Sequence, residues 1–287
     1  MKLSIIIANW NTKELTRKCL RSIFDNTKNL DFELIVIDNG STDGSVEMIK
    51  SEFRQVRLIE NEENTGYVFA NNQGIATASG EFVLLLNSDT EIIDDCLDKM
   101  VGFMQDNQDV GIASCKILNP DKTTQLQVRR LPTVWDQAVI LTKMHNFFPK
   151  LIKKYLWLDF DYEQQQDVEQ VMGAFMLVRK KVIDQVGALD KNIWSWFEDV
   201  DYCKRVRDAG WRIVYTPIAE IVHLKSQSFA FHLALPKQKI LVKSMRYYFR
   251  KNVGWGSYLF LLPLTYISLA LAFLVQLFKI KKRNNQL

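Results

Sequence analysis

Two short runs concentrate oxygen donors where the chain leaves apolar structure. The first is Asn87-Ser88-Asp89, which ends the apolar run Phe82-Val83-Leu84-Leu85-Leu86. Asn87 and Asp89 are two apart in a chain leaving a strand, so both side chains can project to one side. Hard oxygen donors so placed suit a divalent cation and the phosphates it holds. Taken alone, the three residues read better as a helix cap. The second run is Trp194-Ser195-Trp196-Phe197-Glu198-Asp199-Val200-Asp201, with three carboxylates within four residues. A carboxylate in a cleft can take a proton from a hydroxyl, and the indole faces just before it offer a surface on which sugars stack. A solvated, dipole-favoured helix start would also account for Glu198 and Asp199.

The elements that must position these groups follow from the apolar pattern. Phe82 to Leu86 is a continuous apolar run behind Ser79-Gly80 and predicts a strand buried on both faces. Leu3–Ala8, Phe32–Ile37, Val56–Ile59 and Val110–Cys115 predict further strands, with helical spacing between them. Thr12 is placed to cap the first helix and Asp43 the second. Asp94 and Asp95 begin another, where acidic side chains are favourable. Strands alternating with helices over about a hundred residues predict a mostly parallel sheet covered on both faces, and ligands collect at the carboxyl ends of its strands. Asp38 emerges at one such end, where it can accept hydrogen bonds from a ribose or base. The stretch 116–167 is less regular: Gln125–Arg130 reads as a hairpin arm, and Val134–Met144 and Phe147–Leu158 as helices that hold an acceptor or touch a membrane. Val168–Val178 predicts a strand in which Gly173-Ala174 allow close approach of a ligand or backbone. Glu198 opens a helix with the buried stripe Val200, Cys203, Val206 and Ala209. Trp211–Tyr215 then forms a strand ended by Pro217, and Ile221-Val222-His223 another. A histidine after an apolar pair is more often structural than a ligand.

Composition narrows the partners. The 287 residues carry a formal net charge of +4, yet no Asp or Glu follows Glu220. Residues 221–287 hold 11 Lys and Arg, which leaves the first 220 residues at −7. The tail is built for a different partner than the body. Cys19, Cys96, Cys115 and Cys203 show neither zinc nor disulfide spacing. No glycine-rich dinucleotide or P-loop signature occurs, and nothing points to nucleic acid.

Seven motifs in order resemble the inverting family 2 glycosyltransferases, in particular their bacterial rhamnosyltransferase-like branch. They are Ile7–Asn11, Val36–Gly44, Asn64-Thr65-Gly66 with Asn71–Gly74, Leu86–Thr90, Gly173–Leu177, Phe197–Cys203 and Ile221–His223, so the resemblance covers residues 3 to 228. It implies a GT-A fold, α/β with a mostly parallel central sheet, over residues 1–228: a nucleotide-sugar half at 1–115 and an acceptor half at 116–228. It also implies that Asn9, Asp38, Asn39 and Asn72 line the nucleotide site. Asn87-Ser88-Asp89 then corresponds to the family's Asp-x-Asp-type motif holding Mg²⁺ or Mn²⁺ on the donor diphosphate. Asn87 replaces an acid there, which removes one negative charge. His223 is expected to reach the metal or diphosphate, Asp199 to be the base with Glu198 supporting it, and Gly173 and Trp196 to meet the acceptor. Asp201 is expected to pair with Arg205. The implied activity is sugar transfer, with L-rhamnose from dTDP-rhamnose as one donor, to a lipid-linked glycan in bacterial cell-surface polysaccharide synthesis. Two alternatives stand beside it: transfer to a polyprenyl phosphate, and a catalytically inactive membrane-bound sugar-binding relative.

Residues 229–253 predict a basic amphipathic helix with Lys239, Lys243, Arg246 and Arg250 towards one side and Leu241, Met245 and Tyr248 towards another, a membrane-surface signal. Residues 254–287 add an uncharged apolar stretch, Gly254–Phe278, then a basic tail. Basic flanks on both sides place the protein on the cytoplasmic face of the inner membrane. A single span competes with a re-entrant or interfacial helix bent near Pro263, the latter being favoured.

Overall fold

The computed structural model describes residues 1–224 and 234–284. The chain runs β1 (Leu3–Asn9), α1 (Lys13–Asn26), β2 (Phe32–Asn39), α2 (Ser45–Glu52), β3 (Arg57–Asn61), α3 (Tyr67–Thr77), β4 (Phe82–Asn87), β5 (Thr90–Ile92), α4 (Cys96–Asp106) and β6 (Val110–Leu118). It continues as α5 (Val134–Leu141), β7 (Gln166–Asp167), β8 (Phe175–Arg179), α6 (Lys180–Val186), α7 (Glu198–Asp208), β9 (Arg212–His223), α8 (Ala234–Asn252) and α9 (Trp255–Asn284). The strands form one sheet in the order β3-β2-β1-β4-β8-β6-β9-β5, with β7 paired to β9. β1 to β4 are mutually parallel, and β8 lies antiparallel between β4 and β6.

Period-2 geometry explains why the central strands are apolar without interruption. Ile5, Ile7, Leu84 and Leu86 enter one buried cluster, whereas Ile6, Val83 and Leu85 enter another. The path moves outward from β1 to β3 and returns to β4 on the other side of β1, so strand order reverses between β1 and β4. A crevice opens at the carboxyl ends of strands at such a point, and here it lies beside Asn9 and Asn87. Because β8 inserts into the sheet of the first half, the expected halves at 1–115 and 116–228 share one core. The boundary at 228 lies outside the described residues.

Several expectations are corrected. Pro217 does not end a strand: β9 runs through it, with its irregularity opposite Ser114 and Lys116 of β6 absorbing the missing donor. Residues 168–174 are not strand, so the regular part of that run begins at Phe175. Thr12 makes no side-chain cap to α1; its hydroxyl donates to Asn9 Oδ1 at 2.7 Å. Asp43 serves both neighbouring helix starts, accepting from the Lys13 and Ser45 backbone N–H groups. Residues 147–158 form 3₁₀ and irregular turns rather than a helix, pinned by the Arg130 N–H donating to Tyr155 O at 3.0 Å.

The largest correction concerns the tail. The apolar face of α8 is not free for a membrane, because Val242, Met245, Tyr248 and Phe249 are buried against Phe197 and Val200, together with Ala138 and Leu141 of α5. At its end, Lys251 Nζ and Asn252 Nδ2 donate to the fully buried Asp201, which also accepts from Arg205 Nε at 2.9 Å. An amphipathic pattern reports that one face is covered without specifying by what. α9 stays helical through Pro263, so no return of the chain occurs there among the described residues. Its segment Trp255–Leu277 is long and apolar enough to cross a membrane, and mostly unburied.

Candidate active site

A cleft of about 410 Å³ opens at the β1/β4 switch point. Its floor comes from the ends of those strands: Ala8, Asn9 and Trp10 on one side, Asn87, Ser88 and Asp89 on the other. Parallel pairing of Ala8 with Asn87 brings the two ends together. Asn9 is locked in place, since its Nδ2 donates to Asp38 Oδ2 at 2.6 Å while its Oδ1 accepts from Thr12 and Thr16 hydroxyls. Asn39 lines the same side and accepts from Asn61 Nδ2 and Thr65 Oγ1.

A histidine distant in sequence completes the floor. Short β5 pairs antiparallel with the end of β9, setting Thr90 opposite His223, and the Leu224 N–H donates to Asp89 O at 2.9 Å. His223 Nε2 consequently lies 3.2 Å from Asp89 Oδ1 and 3.3 Å from Asn87 Nδ2. The other ring nitrogen, Nδ1, is 2.7 Å from Gln125 Oε1. Gln125 Nε2 donates to Asn119 Oδ1 and His223 O, which leaves its Oε1 as the acceptor facing the ring. In the neutral imidazole Nδ1 then carries the proton, and the Nε2 lone pair faces the Asp89 carboxylate. The Asp89 oxygen and the ring nitrogen at that distance could share a proton or hold a cation between them. Ligands at right angles around an ion with bonds of about 2.1 Å stand about 3 Å apart, so the pair fits a Mg²⁺- or Mn²⁺-sized ion. Among the described residues no group of three or more His, Cys, Asp or Glu gathers around one point. A site of this kind takes its remaining ligands from water and substrate phosphate.

The second carboxylate cluster lines the same cleft. Trp194, Ser195, Trp196, Glu198 and Asp199 line the cleft together with Met172, Gly173 and Ala174. Trp196 and Phe197 both adopt positive φ, at 57° and 63°, an uncommon conformation that turns the chain sharply into α7. The Ser244 hydroxyl of α8 holds this turn through Ser195 O at 2.8 Å. Gly66 sits at φ 90°, and a Cβ there would collide with the Trp194 indole, so only glycine fits beneath that ring.

Glu198 and Asp199 differ in electrostatics. Burial, then the adjacent Asp199 charge, pushes the Glu198 carboxyl up to about 8, and Glu198 Oε2 is buried without a hydrogen-bond partner. Burial also raises Asp199, but the Val200 N–H donating to Oδ1 at 2.8 Å and the charge of Arg129 oppose that rise. Both carboxyls are thus raised, and Asp199 is the one whose N–H donor and nearby Arg129 charge favour the ionised form.

Of the expected site residues, Asn9, Asn39, Asn87, Asp89, Gly173, Trp196, Glu198, Asp199 and His223 all meet in this cleft. Two do not line it. Asp38 is buried, with its oxygens taken by Asn9 and the Ser41 N–H, so it shapes the floor from behind. Asn72 instead ties α3 to the backbone of Leu189 through two hydrogen bonds. Sequence reasoning passed over Gln125, Gln127, Arg129 and Tyr67. Tyr67 is a neighbour of Asn64-Thr65-Gly66, whereas the other three lie in the irregular stretch after β6.

Comparison with known proteins identifies the family and the fold. Residues 4–187 match the family model for glycosyl transferase family 2. The chain is 30% identical over 232 residues to an uncharacterised protein of Sinorhizobium fredii, covering 79% of this chain but only a quarter of that protein's length. It is 29% identical over 222 residues, 70% of each chain, to an N-acetylglucosaminyl-diphospho-decaprenol L-rhamnosyltransferase of Mycobacterium tuberculosis. Among solved structures, the mannosyltransferase PcManGT of Pyrobaculum calidifontis, in complex with GDP-Man and Mn²⁺, superposes with a TM-score of 0.58 at 17% identity over 93% of this chain and 69% of that one. The match over most of the chain and the shared architecture together place this protein: it has the GT-A fold and belongs to glycosyl transferase family 2.

Proposed function

We propose that the protein is an inverting, divalent-cation-dependent glycosyltransferase that moves a sugar from a nucleotide-sugar to a lipid-linked glycan acceptor during cell-surface polysaccharide synthesis. The observation that carries the reading is the convergence of the Asp89–His223 pair and Asp199 on one cleft. Asp89 and His223 would hold Mg²⁺ or Mn²⁺, which when bound supplies positive charge against the diphosphate. Asn9 and Asn39 bound the part of the cleft where the nucleotide would rest.

In the transfer, the acceptor hydroxyl oxygen bonds to the anomeric carbon from the face opposite the diphosphate. Its proton passes to the Asp199 carboxylate. The bond from the anomeric carbon to the phosphate oxygen breaks, and the nucleoside diphosphate leaves with the electron pair. Protonated Glu198 keeps a second negative charge away from Asp199, so that the Asp199 carboxyl is more easily held ionised and open to the proton. Trp194 and Trp196 offer apolar faces for sugar rings and exclude water from the reacting carbon.

The Mycobacterium tuberculosis relative supports a polyprenyl-diphosphate-linked acceptor and L-rhamnose as the first donor to test. The apolar helix α9 supports placement at the cytoplasmic face of a bacterial inner membrane, where a soluble donor meets such an acceptor. Incubation with a panel of nucleotide sugars, with and without Mg²⁺ or Mn²⁺, tests the proposal. Cation-dependent release of nucleoside diphosphate from one donor, with inversion at the transferred carbon when acceptor is supplied, is expected. Absence of release from every donor would favour the sugar-binding reading instead.

A further inference from the structure

The segment that follows α5 presents an apolar surface that the transfer chemistry does not use. Phe147 is 79% exposed and Phe148 60%, and Met144, Leu151 and Leu158 are exposed beside them. These side chains sit on an anchored stretch, because Ile152 and Tyr155 are buried beneath it and Tyr155 O accepts from the Arg130 N–H. Between Asp136 and Asp159 the chain has four lysines, Lys143, Lys150, Lys153 and Lys154, and no acid. Lys150 and Lys154 are exposed among the aromatics. At the start of α5, Trp135 is 70% exposed and meets Phe260 of α9 edge-to-face, with ring centroids 5.3 Å apart. The surface is thus structurally joined to the one helix, among the described residues, that is long and apolar enough to cross a membrane.

We propose that residues 144–158 form a second membrane contact, in which Phe147, Phe148 and Leu151 enter the interface of an anionic bilayer while Lys150 and Lys154 meet its headgroups. Large aromatics flanked by lysines without acids match the chemistry of a lipid interface. A second copy of the chain fits less well, since a two-fold contact would bring two patches of the same positive sign together. With α9 as one attachment and this segment as another, the domain is held at a fixed attitude to the bilayer. Arg129, adjacent to the anchoring Arg130, lines the cleft, so the cleft wall continues directly into the membrane-facing segment. The inference stands on exposure and charge and does not require the transferase reading.

All four native cysteines are buried, so one introduced at an exposed position can be labelled selectively. The full chain carrying Phe147→Cys, Leu274→Cys or, as an exposed control, Lys28→Cys is labelled with an environment-sensitive fluorophore. Each is added to vesicles of phosphatidylethanolamine and phosphatidylglycerol containing nitroxide-tagged lipid. The label at 147 is expected to shift to the blue and lose emission to the nitroxide, with the loss reduced in all-phosphatidylcholine vesicles and by Lys150→Glu with Lys154→Glu. The label at 28 is expected to do neither. A label at 147 that stays as unquenched as the one at 28, whatever the label at 274 does, overturns the proposal. So does a blue shift that follows protein concentration in the absence of lipid, which would assign the surface to a second copy.

Discussion

His223 Nδ1 stands 2.7 Å from Gln125 Oε1, and this contact decides which face of the imidazole looks into the cleft. Gln125 is itself buried and fixed by Asn119, so the ring cannot turn without breaking a chain of hydrogen bonds. Partners of this kind usually tune a metal-ligating histidine as strongly as its position does. Gln125→Leu is therefore expected to raise the Mn²⁺ concentration needed for half-maximal transfer by about 10–100-fold. A cation titration at saturating donor measures it. Gln125→Glu, which keeps an acceptor, should recover much of the loss.

Asp199→Asn removes the proposed proton acceptor and keeps the shape of the wall. Transfer should fall by about 10²–10⁴-fold, with donor affinity, read by nucleotide displacement, unchanged. Equal loss of donor affinity would instead mark Asp199 as a binding residue.

Glu198 makes the fold sensitive to alkali. Its carboxyl is held from the ordinary 4.5 up to about 8, chiefly by burial. Between those values the unfolded chain has released this proton and the folded chain still holds it, so the unfolded state binds fewer protons and stability falls as pH rises. Thermal melting of the wild type should decline from about pH 5 to pH 8, and Glu198→Gln should flatten that slope. An unchanged slope in the variant would place the titration elsewhere.

Gly66→Ala brings a Cβ into the Trp194 indole at a φ of 90°. Loss of about 1–3 kcal/mol is expected from chemical denaturation, accompanied by a shift in Trp194 fluorescence as the ring is displaced.

A chain ending at residue 228 removes α8 and exposes Phe197 and Val200, which it covers. Such a truncation should be poorly soluble and inactive, whereas a chain ending after α8, at Gly254, should fold. Cofractionation and melting curves distinguish the two.

Much of this arrangement was legible in the chain because buried strands that end in polar residues carry their own signature. Phe82 to Leu86 reads as a buried strand on its own, whereas the oxygen donors after it read better as a helix cap until the other motifs are set beside them. His223 reads locally as structural and is tied to the cation site only by the family resemblance; the pairing of β5 with β9, a contact across more than a hundred residues that no local pattern specifies, is what brings it beside Asp89. Gln125 lay in an irregular stretch without periodicity. The apolar stripe of α8 was legible but its partner was not: a membrane and the back of the Trp196-Phe197 turn demand the same pattern. Asp38 and Asn72 show the reverse case, polar side chains at strand and helix positions near the cleft whose hydrogen bonds are spent on neighbouring backbone and on Asn9.

The pairing of Asp89 with His223 as the cation-holding floor of the donor site is tested most directly by titrating Mn²⁺ against nucleotide-sugar hydrolysis in the wild type and in Asp89→Ala, with circular dichroism to confirm the fold. The expected result is a saturable cation requirement in the wild type and loss of both hydrolysis and saturation in a folded Asp89→Ala. Wild-type hydrolysis with an unchanged cation requirement in that variant would contradict the account and return Asn87-Ser88-Asp89 to a structural turn.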